Sequence, residues 1–555
     1  MKLNRRSFLL HGAQAGAALS ALPLSALAAD TGKAAPLQQR RAVTIAAPSG
    51  AVRGAAEQGV LSFKGIPFAQ PPVGALRFMP PQALPVASGV RNAFAFGPAP
   101  MQPDRVQAGS GRHFIGDAAL SEDCLYLNVW APETPGPHPV FVWVYGGSNI
   151  YGATSQPIYD GASFARNGVV CVTIGYRLGA FGFLELGEVL GEKYKGSGNN
   201  ALRDQTMGLQ WVHDNIAAFG GDPARVTLAG ESAGGKNVSA LLAAPAAAGL
   251  FNQSIIQSGG GLTTHTLAGA GEVARLLLET LQAGQPGVSA ADLLLGVNAD
   301  TLLKAQTATV ARYPHNFAYR SVVDGVFLPR SPQEMVAQGA SRDVRLLIGS
   351  NHDEALLFFP PALVAGYRKD PAAEAANNAA ITSREMAQLD VPAITVAAER
   401  YRKAFPQQSG FERRVRLLTA EEYWIPTVRM ADAHAQAGGV TYMYRFDETA
   451  KQGPFSGYAV HAGELPFTWR NFSEPFLEML YGKAPPVPPL ADLMHATWIE
   501  FIRSGRPRHR QLPAWPQYRV SAQTGGRATM LLNSSGSRMQ DDPAGAERAL
   551  WQDLM

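Results

Sequence analysis

Residues 225–235 read Arg225-Val226-Thr227-Leu228-Ala229-Gly230-Glu231-Ser232-Ala233-Gly234-Gly235. An apolar, β-branched run ends here in a Gly-x-Ser-x-Gly motif, and residues 237–242 that follow have the composition of a helix. The pattern predicts a strand, a sharp turn and a helix, with Ser232 at the tip of the turn. Such a turn strains the backbone of the serine, and Gly230 and Gly234 remove side chains that would collide there. The helix would direct its free N–H groups towards developing negative charge.

The motif alone is weak evidence, because a glycine-rich turn can produce it by chance. Other apolar runs along the chain show whether the motif lies in a larger α/β pattern. Strand-like runs alternate with helical ones and comprise residues 140–145, 169–174, 226–229, 254–257, 345–348 and 440–446. This alternation predicts one α/β sheet covered by helices on both faces, with long insertions between its elements. Functional residues should then collect at the carboxyl ends of the strands.

Residues 1–28 have the features of a cleavable export signal: a basic start, an apolar middle and an Ala-x-Ala end. Arg5 and Arg6, followed by Ser-Phe-Leu, resemble a bacterial twin-arginine signal, which exports folded proteins. We therefore expect recognition by the twin-arginine export machinery and a periplasmic or secreted mature protein. The alternative is an uncleaved membrane anchor, although glycine, glutamine and proline interrupt the short apolar stretch.

The charge balance indicates no nucleic-acid partner. The formal net charge is +4, and removal of Lys2, Arg5 and Arg6 with the signal leaves about +1. There is no extended basic tract, and no later apolar run is long enough for a membrane span in the mature chain.

Two cysteines are present, Cys124 and Cys171. Cys171 lies in a buried-strand pattern, where a free thiol behaves as a small apolar side chain, and a bridge to Cys124 is the less favoured alternative. The absence of a disulfide framework fits folding before export.

With no internal repeat or long low-complexity linker, residues 29–555 are predicted to form a single catalytic domain.

Residues 139–145 form a predicted strand that runs into Gly146-Gly147-Ser148-Asn149. Glycines allow backbone N–H groups to approach a substrate closely. Together with the N–H of Ala233, the residue after Ser232, they would form an oxyanion hole. A Gly-Gly pair after a strand, taken alone, is usually only a turn.

Several further motifs occur in a fixed order. They are Phe63-Lys64-Gly65-Ile66-Pro67-Phe68-Ala69, Glu122-Asp123-Cys124-Leu125-Tyr126-Leu127-Asn128-Val129, Tyr176-Arg177-Leu178-Gly179, Asn215-Ile216-Ala217-Ala218-Phe219-Gly220-Gly221-Asp222-Pro223 and Trp515-Pro516-Gln517-Tyr518. Together with Tyr145-Gly146-Gly147 they resemble the type-B carboxylesterase family, which includes the cholinesterases. The resemblance covers nearly the whole mature chain, and agreement of several ordered motifs is far more specific than any one of them.

The resemblance implies an α/β-hydrolase fold and a Ser, Glu, His triad. It assigns Glu354 as the acid, whereas the sequence alone leaves the adjacent Asp353 as a competitor. It assigns His461, in Gly457-Tyr458-Ala459-Val460-His461-Ala462-Gly463-Glu464, as the base. His352 and His265 match no motif and are interpreted as packing or surface residues.

The chain also departs from the family pattern. Pro100 stands where the family often has a cysteine that pairs with the one corresponding to Cys124, so Cys124 is predicted to be a free, buried thiol. Ser148 replaces a third glycine of the oxyanion loop and narrows the acyl side of the pocket. The corresponding region lacks the choline-binding tryptophan of cholinesterases, which argues against a choline ester as substrate.

The resulting hypothesis is a serine hydrolase that cleaves small-molecule carboxylic esters through an acyl-enzyme. Ser232 attacks, His461 transfers the proton, and Glu354 orients His461. The N–H groups of Gly147, Ser148 and Ala233 bind the oxyanion, and Gly146 shapes the loop. No metal or organic cofactor is needed, since the chemistry is carried by side chains and no metal-ligand spacing is present.

Three alternatives stay open: the same machinery acting on amide, carbamate or thioester bonds, a lipase, or a cholinesterase-like binding protein without catalysis. Helical cap segments are expected around residues 263–314 and 358–404, which match no motif. The natural substrate and the oligomeric state do not follow from the sequence.

Overall fold

Parallel strands occupy the centre of the structure, a computed structural model that describes residues 40–103, 115, 118–369, 383–387, 389–472, 480–481, 488–521 and 525–555. The predicted signal peptide, residues 1–28, lies outside the described residues. One sheet of 13 strands is formed. Its strands are β1 Arg41–Ala47, β2 Gly50–Glu57, β3 Val60–Pro67, β4 Val90–Asn92, β5 Tyr126–Pro132, β6 His138–Val144, β7 Val170–Ile174, β8 Gly221–Glu231, β9 Gln253–Gln257, β10 Arg345–Asn351, β11 Thr441–Phe446, β12 Ala528–Leu532 and β13 Arg538–Asp541.

The strand order is β1-β2-β3-β5-β7-β6-β8-β9-β10-β11-β12-β13, with β4 beside β2. All neighbours from β7 to β12 in this order are parallel, whereas β1, β2, β3 and β5 at one side and β13 at the other are joined by antiparallel pairing. The six strand-like runs predicted from sequence are therefore confirmed as β6 to β11. Their carboxyl ends meet along one edge of the sheet.

Helices alternate with these strands. They are α1 Ala162–Arg166, α2 Gly179–Phe183, α3 Gly187–Leu190, α4 Asn200–Asn215, α5 Ala233–Ala243, α6 Leu267–Gly284, α7 Ala290–Gly296, α8 Ala299–Arg312, α9 Pro332–Ala337, α10 Pro361–Lys369, α11 Val391–Ala404, α12 Gly410–Thr419, α13 Ile425–Gln436, α14 Leu465–Trp469, α15 Pro489–Ser504 and α16 Gly545–Ala549. A π-helical turn, Ala420–Trp424, joins α12 to α13.

The central strands are buried on both faces, which explains their continuous apolar sequences. Every residue of β7 is buried, and β6 is buried from Pro139 onwards. Strands of a parallel sheet carry such sequences because helices cover both faces. Helix α5 packs on β8 and β9, and α13 packs on β10 and β11. Cys124 and Cys171 are free and buried, as predicted.

The two segments expected to cap the site contain helices. Helices α6, α7 and α8 lie within residues 263–314, and α10 and α11 lie within residues 358–404. Local capping explains several starts, since Thr266, Ser289 and Asn298 each accept a hydrogen bond from an N–H of the helix that follows. None of the helices among the described residues is long and apolar enough to cross a membrane.

Candidate active site

Ser232 occupies the sharp turn between β8 and α5. Its backbone has φ 57° and ψ −126°, a strained conformation for a residue with a side chain. The flanking glycines make this turn feasible. A Cβ on Gly234 would lie 2.1 Å from the carbonyl oxygen of Val144, and one on Gly230 would lie 2.6 Å from the carbonyl carbon of Gly234. The turn therefore requires both glycines that the sequence motif supplies.

One hydrogen-bonded chain links Ser232, His461 and Glu354. The Oγ of Ser232 lies 2.8 Å from Nε2 of His461, and Nδ1 of the same ring lies 2.5 Å from Oε2 of Glu354. Glu354 comes shortly after β10, and His461 lies in the loop between β11 and α14. The structure thus brings three residues that are far apart in sequence to the carboxyl edge of the sheet.

The second oxygen of the Glu354 carboxylate is also held. Oε1 accepts a hydrogen bond of 2.5 Å from the hydroxyl of Ser258 and one of 2.7 Å from the N–H of Asn351. The side chain of Glu354 is fully buried. A buried carboxylate needs hydrogen-bond partners for both of its oxygens, and these contacts supply them. They also fix the orientation of the carboxylate towards His461.

Asp353 and the two other histidines discussed above lie in different environments. Asp353 accepts a hydrogen bond from the N–H of Ala459 and lies 2.9 Å from Nδ1 of His352, so it braces the loop rather than the imidazole of His461. His265 is buried, and its Nε2 lies 2.9 Å from the carbonyl oxygen of Ala318. Burial, followed by the charge of Arg320, lowers the pKa of His265 to about 3, so its ring stays neutral.

The loop after β6 lies directly against the serine turn. A Cβ on Gly146 would be 3.0 Å from Cβ of Ser232, and one on Gly147, which has φ +118°, would be 2.3 Å from the carbonyl oxygen of Tyr151. Among the described residues, no acceptor receives a hydrogen bond from the N–H of Gly147, Ser148 or Ala233. These three N–H groups are thus available to a ligand oxygen.

A model of the Carboxylesterase family matches residues 40–551 of the sequence. The chain belongs to the carboxylesterase family. The Para-nitrobenzyl esterase of Bacillus subtilis is 37% identical over 510 residues, which cover 90% of this chain and 96% of that protein. The Phenmedipham hydrolase of Pseudarthrobacter oxydans is 32% identical over 512 residues, covering 89% of this chain and 96% of that protein.

Solved structures agree with this assignment. A PNB esterase structure has a TM-score of 0.77 and 35% sequence identity, and the match covers 91% of this chain and 99% of that chain. A Geobacillus stearothermophilus carboxylesterase has a TM-score of 0.75 and 36% identity, covering 92% of this chain and 100% of that chain. The α/β-hydrolase fold expected from the sequence motifs is confirmed, and this carboxylesterase is a carboxylic ester hydrolase.

Two buried carboxylates face the imidazole of the carboxylesterase site. Glu231 Oε1 lies 3.2 Å from Nε2 of His461, on the same side as Ser232. Burial raises the pKa of Glu231 to about 8. Burial acts to lower the pKa of His461, but the negative charges of Glu231 and Glu354 outweigh it and raise that pKa from 6.5 to about 9. The site therefore stabilises the imidazolium form.

Sequence reasoning missed several residues that contact this site. Ser258 follows β9 directly, and its position at the carboxyl end of a parallel strand is the signal that points to it. Glu231 lies inside the serine motif, but the motif alone assigns no role to its carboxylate. Phe358 and Tyr423 pack their rings on that of His461 at centroid distances of 5.2 and 4.8 Å, and no sequence motif marks them.

The described residues contain no group of three or more His, Cys, Asp or Glu side chains that could hold a metal ion. The arrangement of hydroxyl, imidazole and carboxylate is suited to activation of a serine by proton transfer.

Proposed function

We propose that this carboxylesterase hydrolyses esters through an acyl-enzyme formed on Ser232. The observation that carries the proposal is the hydrogen-bonded chain from Ser232 through His461 to Glu354, with distances of 2.8 and 2.5 Å. A serine, an imidazole and a carboxylate in this geometry form the set of groups that acyl transfer requires.

In the first half of the reaction, Oγ of Ser232 attacks the ester carbonyl carbon and its proton passes to Nε2 of His461. The resulting oxyanion is bound by the N–H groups of Gly147, Ser148 and Ala233, while Glu354 stabilises the imidazolium. Collapse of the tetrahedral intermediate breaks the bond to the alcohol oxygen. That oxygen takes the proton from His461 and leaves as the alcohol.

In the second half, water attacks the acyl carbon and gives a proton to His461. A second tetrahedral intermediate collapses, the proton returns to Oγ of Ser232, and the carboxylic acid is released. The negative charges of Glu231 and Glu354, which raise the pKa of His461, stabilise the imidazolium that forms when the ring takes the proton in each attack.

Release of p-nitrophenol from its acetate, butyrate and octanoate esters tests the proposed activity. The relative rates for the three acyl chain lengths indicate how long an acyl group the pocket accepts. We expect turnover with at least one ester and a preference among the three chain lengths. Well-folded protein that turns over none of them would favour the alternative bonds, which amide, carbamate and thioester substrates then test in turn.

We also propose that the protein is exported by the twin-arginine machinery and acts in the periplasm or outside the cell. Support comes from Arg5 and Arg6 in residues 1–28 and from the two free, buried cysteines, which need no oxidising compartment. The test is fractionation of cells that produce the full chain or an Arg5→Lys/Arg6→Lys variant. Export of the first but not the second is expected, and equal export of both would contradict the proposal.

A further inference from the structure

A π-helical turn, Ala420–Trp424, interrupts the long helix formed by α12 and α13. Such turns insert an extra residue into a helix and occur frequently at functional sites. Three consecutive residues of this turn have partners on different elements. Glu421 accepts a hydrogen bond of 3.1 Å from the N–H of Ala387, Glu422 forms an ion pair with Lys236, and Tyr423 packs on His461.

The Tyr423 ring forms part of an aromatic wall beside the imidazole. Its centroid lies 4.8 Å from that of His461, with an angle of 41° between the rings. The ring of Phe358 is parallel to that of Tyr423, within 2°, and lies 5.2 Å from the imidazole. The π turn thus contributes directly to the surroundings of His461.

Lys236 connects this turn to the nucleophile. It lies in the first turn of α5, where its N–H donates a hydrogen bond of 2.9 Å to the carbonyl oxygen of Ser232. Its ammonium is 4.2 Å from the ring centroid of Phe317 and 5.4 Å from that of Tyr423. The ion pair with Glu422 is buried, with side-chain exposures of 10% for Lys236 and 8% for Glu422.

The ion pair between Lys236 and Glu422 depends on both of its side chains. No other described side chain or N–H donates a hydrogen bond to the carboxylate of Glu422. Removal of Lys236 would therefore leave an unpaired buried charge, which is strongly unfavourable and drives rearrangement of the group that carries it. The group that would move is the π turn, because Glu422 belongs to it and α5 is fixed by the sheet.

We propose that Lys236 is a positioning residue for His461: its ion pair with Glu422 joins α5 to the π turn and holds the ring of Tyr423 against the imidazole. The inference rests on the proposed role of His461 as the base. It adds that the orientation of this base depends on a charge pair that touches neither the imidazole nor the reacting atoms.

The first test measures kinetics with p-nitrophenyl acetate for Lys236→Met, Glu422→Gln and the double variant. Each single change should lower kcat about tenfold with KM within about twofold, since the base is misaligned and the pocket is retained. The double variant should lose no more than the worse single variant, because both changes break one interaction. Arg416→Met is the matched control, since Arg416 lies on α12 and pairs with Glu547 at 3.0 Å. It should leave kcat unchanged.

The second test follows the ring of His461 without relying on turnover. Selective ¹³C labelling of histidine, with His461→Gln for assignment, gives an NMR signal whose shift reports the ring current of Tyr423. Lys236→Met and Glu422→Gln should both move this signal, and Arg416→Met should not. If Lys236→Met does not fold, Glu422→Gln decides the question.

Two results would overturn the inference: an unmoved His461 signal in the pair variants, or a loss confined to KM, which would make Lys236 a substrate-binding residue. Wild-type protein that is inactive towards every ester, yet shows the expected signal shifts, would refute the proposed function and leave the positioning role intact.

Discussion

The two sides of the active site have different structural origins. On the sheet side, Ser232 comes directly after β8, Gly146 two residues after β6 and Glu354 three residues after β10. On the inserted side, the aromatic residues Phe358 and Tyr423 come from a 3-10 turn and a π turn between β10 and β11. The residues of the first side lie within three positions of the carboxyl end of a parallel strand. Those of the second lie farther along the segment between β10 and β11, Phe358 at the end of the 3-10 turn that begins with Glu354.

This difference suggests separate roles for the two sides, catalysis for the sheet side and contact with the substrate for the inserted side. The carboxyl edge of a parallel sheet presents its residues in a rigid arrangement, so catalytic groups placed there keep their geometry. The two aromatic rings of the inserted side pack beside the imidazole, and 38% of Phe358 is exposed. We therefore expect substitutions on the sheet side to lower kcat by large factors. Substitutions on the inserted side should lower kcat about tenfold at most, where they disturb the position of His461, or change substrate preference.

The largest effect should come from Ser232→Ala, which removes the proposed nucleophile and should lower kcat by about a million-fold, the loss expected when one member of a triad is removed. Ser239→Ala is a matched control on the same helix, since the hydroxyl of Ser239 donates only to the carbonyl oxygen of Gly259. Steady-state hydrolysis of p-nitrophenyl acetate gives kcat for both variants. Activity of Ser232→Ala within about tenfold of wild type would remove the serine from the mechanism.

The next effect distinguishes two adjacent acids. Glu354→Gln should lower kcat about 10⁴-fold, because the neutral amide disfavours the imidazolium and the required tautomer of His461. Asp353→Asn should stay within about tenfold of wild type, since Asp353 bonds Ala459 and His352 instead. The reverse order of the two losses would reassign the acid to Asp353.

A smaller effect concerns pH. In the proposed mechanism only neutral His461 accepts the proton from Ser232, so a pKa raised to about 9 means that kcat/KM rises as the pH increases through that value. Glu231→Gln removes one negative charge beside Nε2 and should move the midpoint of the profile to lower pH. A wild-type midpoint at or below the ordinary histidine pKa of 6.5, or no shift in the variant, would show that the carboxylates do not control His461.

The smallest effect on kcat should come from Phe358, an aromatic residue of the inserted side. Phe358→Ala removes part of the wall beside His461 and should change the ratio of kcat/KM for octanoate and acetate esters by about tenfold, with kcat on acetate nearly unchanged. A large fall in kcat on every ester, with no change in preference, would contradict the separation between the two sides of the site.

Much of the sheet side could be predicted from the sequence. Burial on both faces gives the strands continuous apolar sequences, and the tight turn at Ser232 demands glycines at fixed spacing, so both leave a pattern. The ordered family motifs also have structural reasons. Glu122 in one motif forms an ion pair with Arg77, and Arg177 in another forms one with Asp204, so these motifs supply charged partners inside the folded domain.

The inserted side could not be predicted, because its contacts depend on tertiary structure. Lys236 follows the serine motif as an ordinary helical residue, and Glu422 lies nearly 190 residues later in a run with no motif. A π turn leaves no recognisable sequence signal, although it decides which way Tyr423 points. Even Asp353 and Glu354 could be separated only by the family pattern, since both follow the same strand.

Direct observation of the acyl-enzyme tests the central claim most directly. Wild-type protein is mixed with p-nitrophenyl acetate, quenched in acid during turnover, digested and analysed by mass spectrometry. The account predicts one added acetyl group on the peptide that contains Ser232, and none in Ser232→Ala. Acetylation of a different residue that turns over at the catalytic rate, or turnover with no acylated protein under conditions where deacylation is slow, would contradict it.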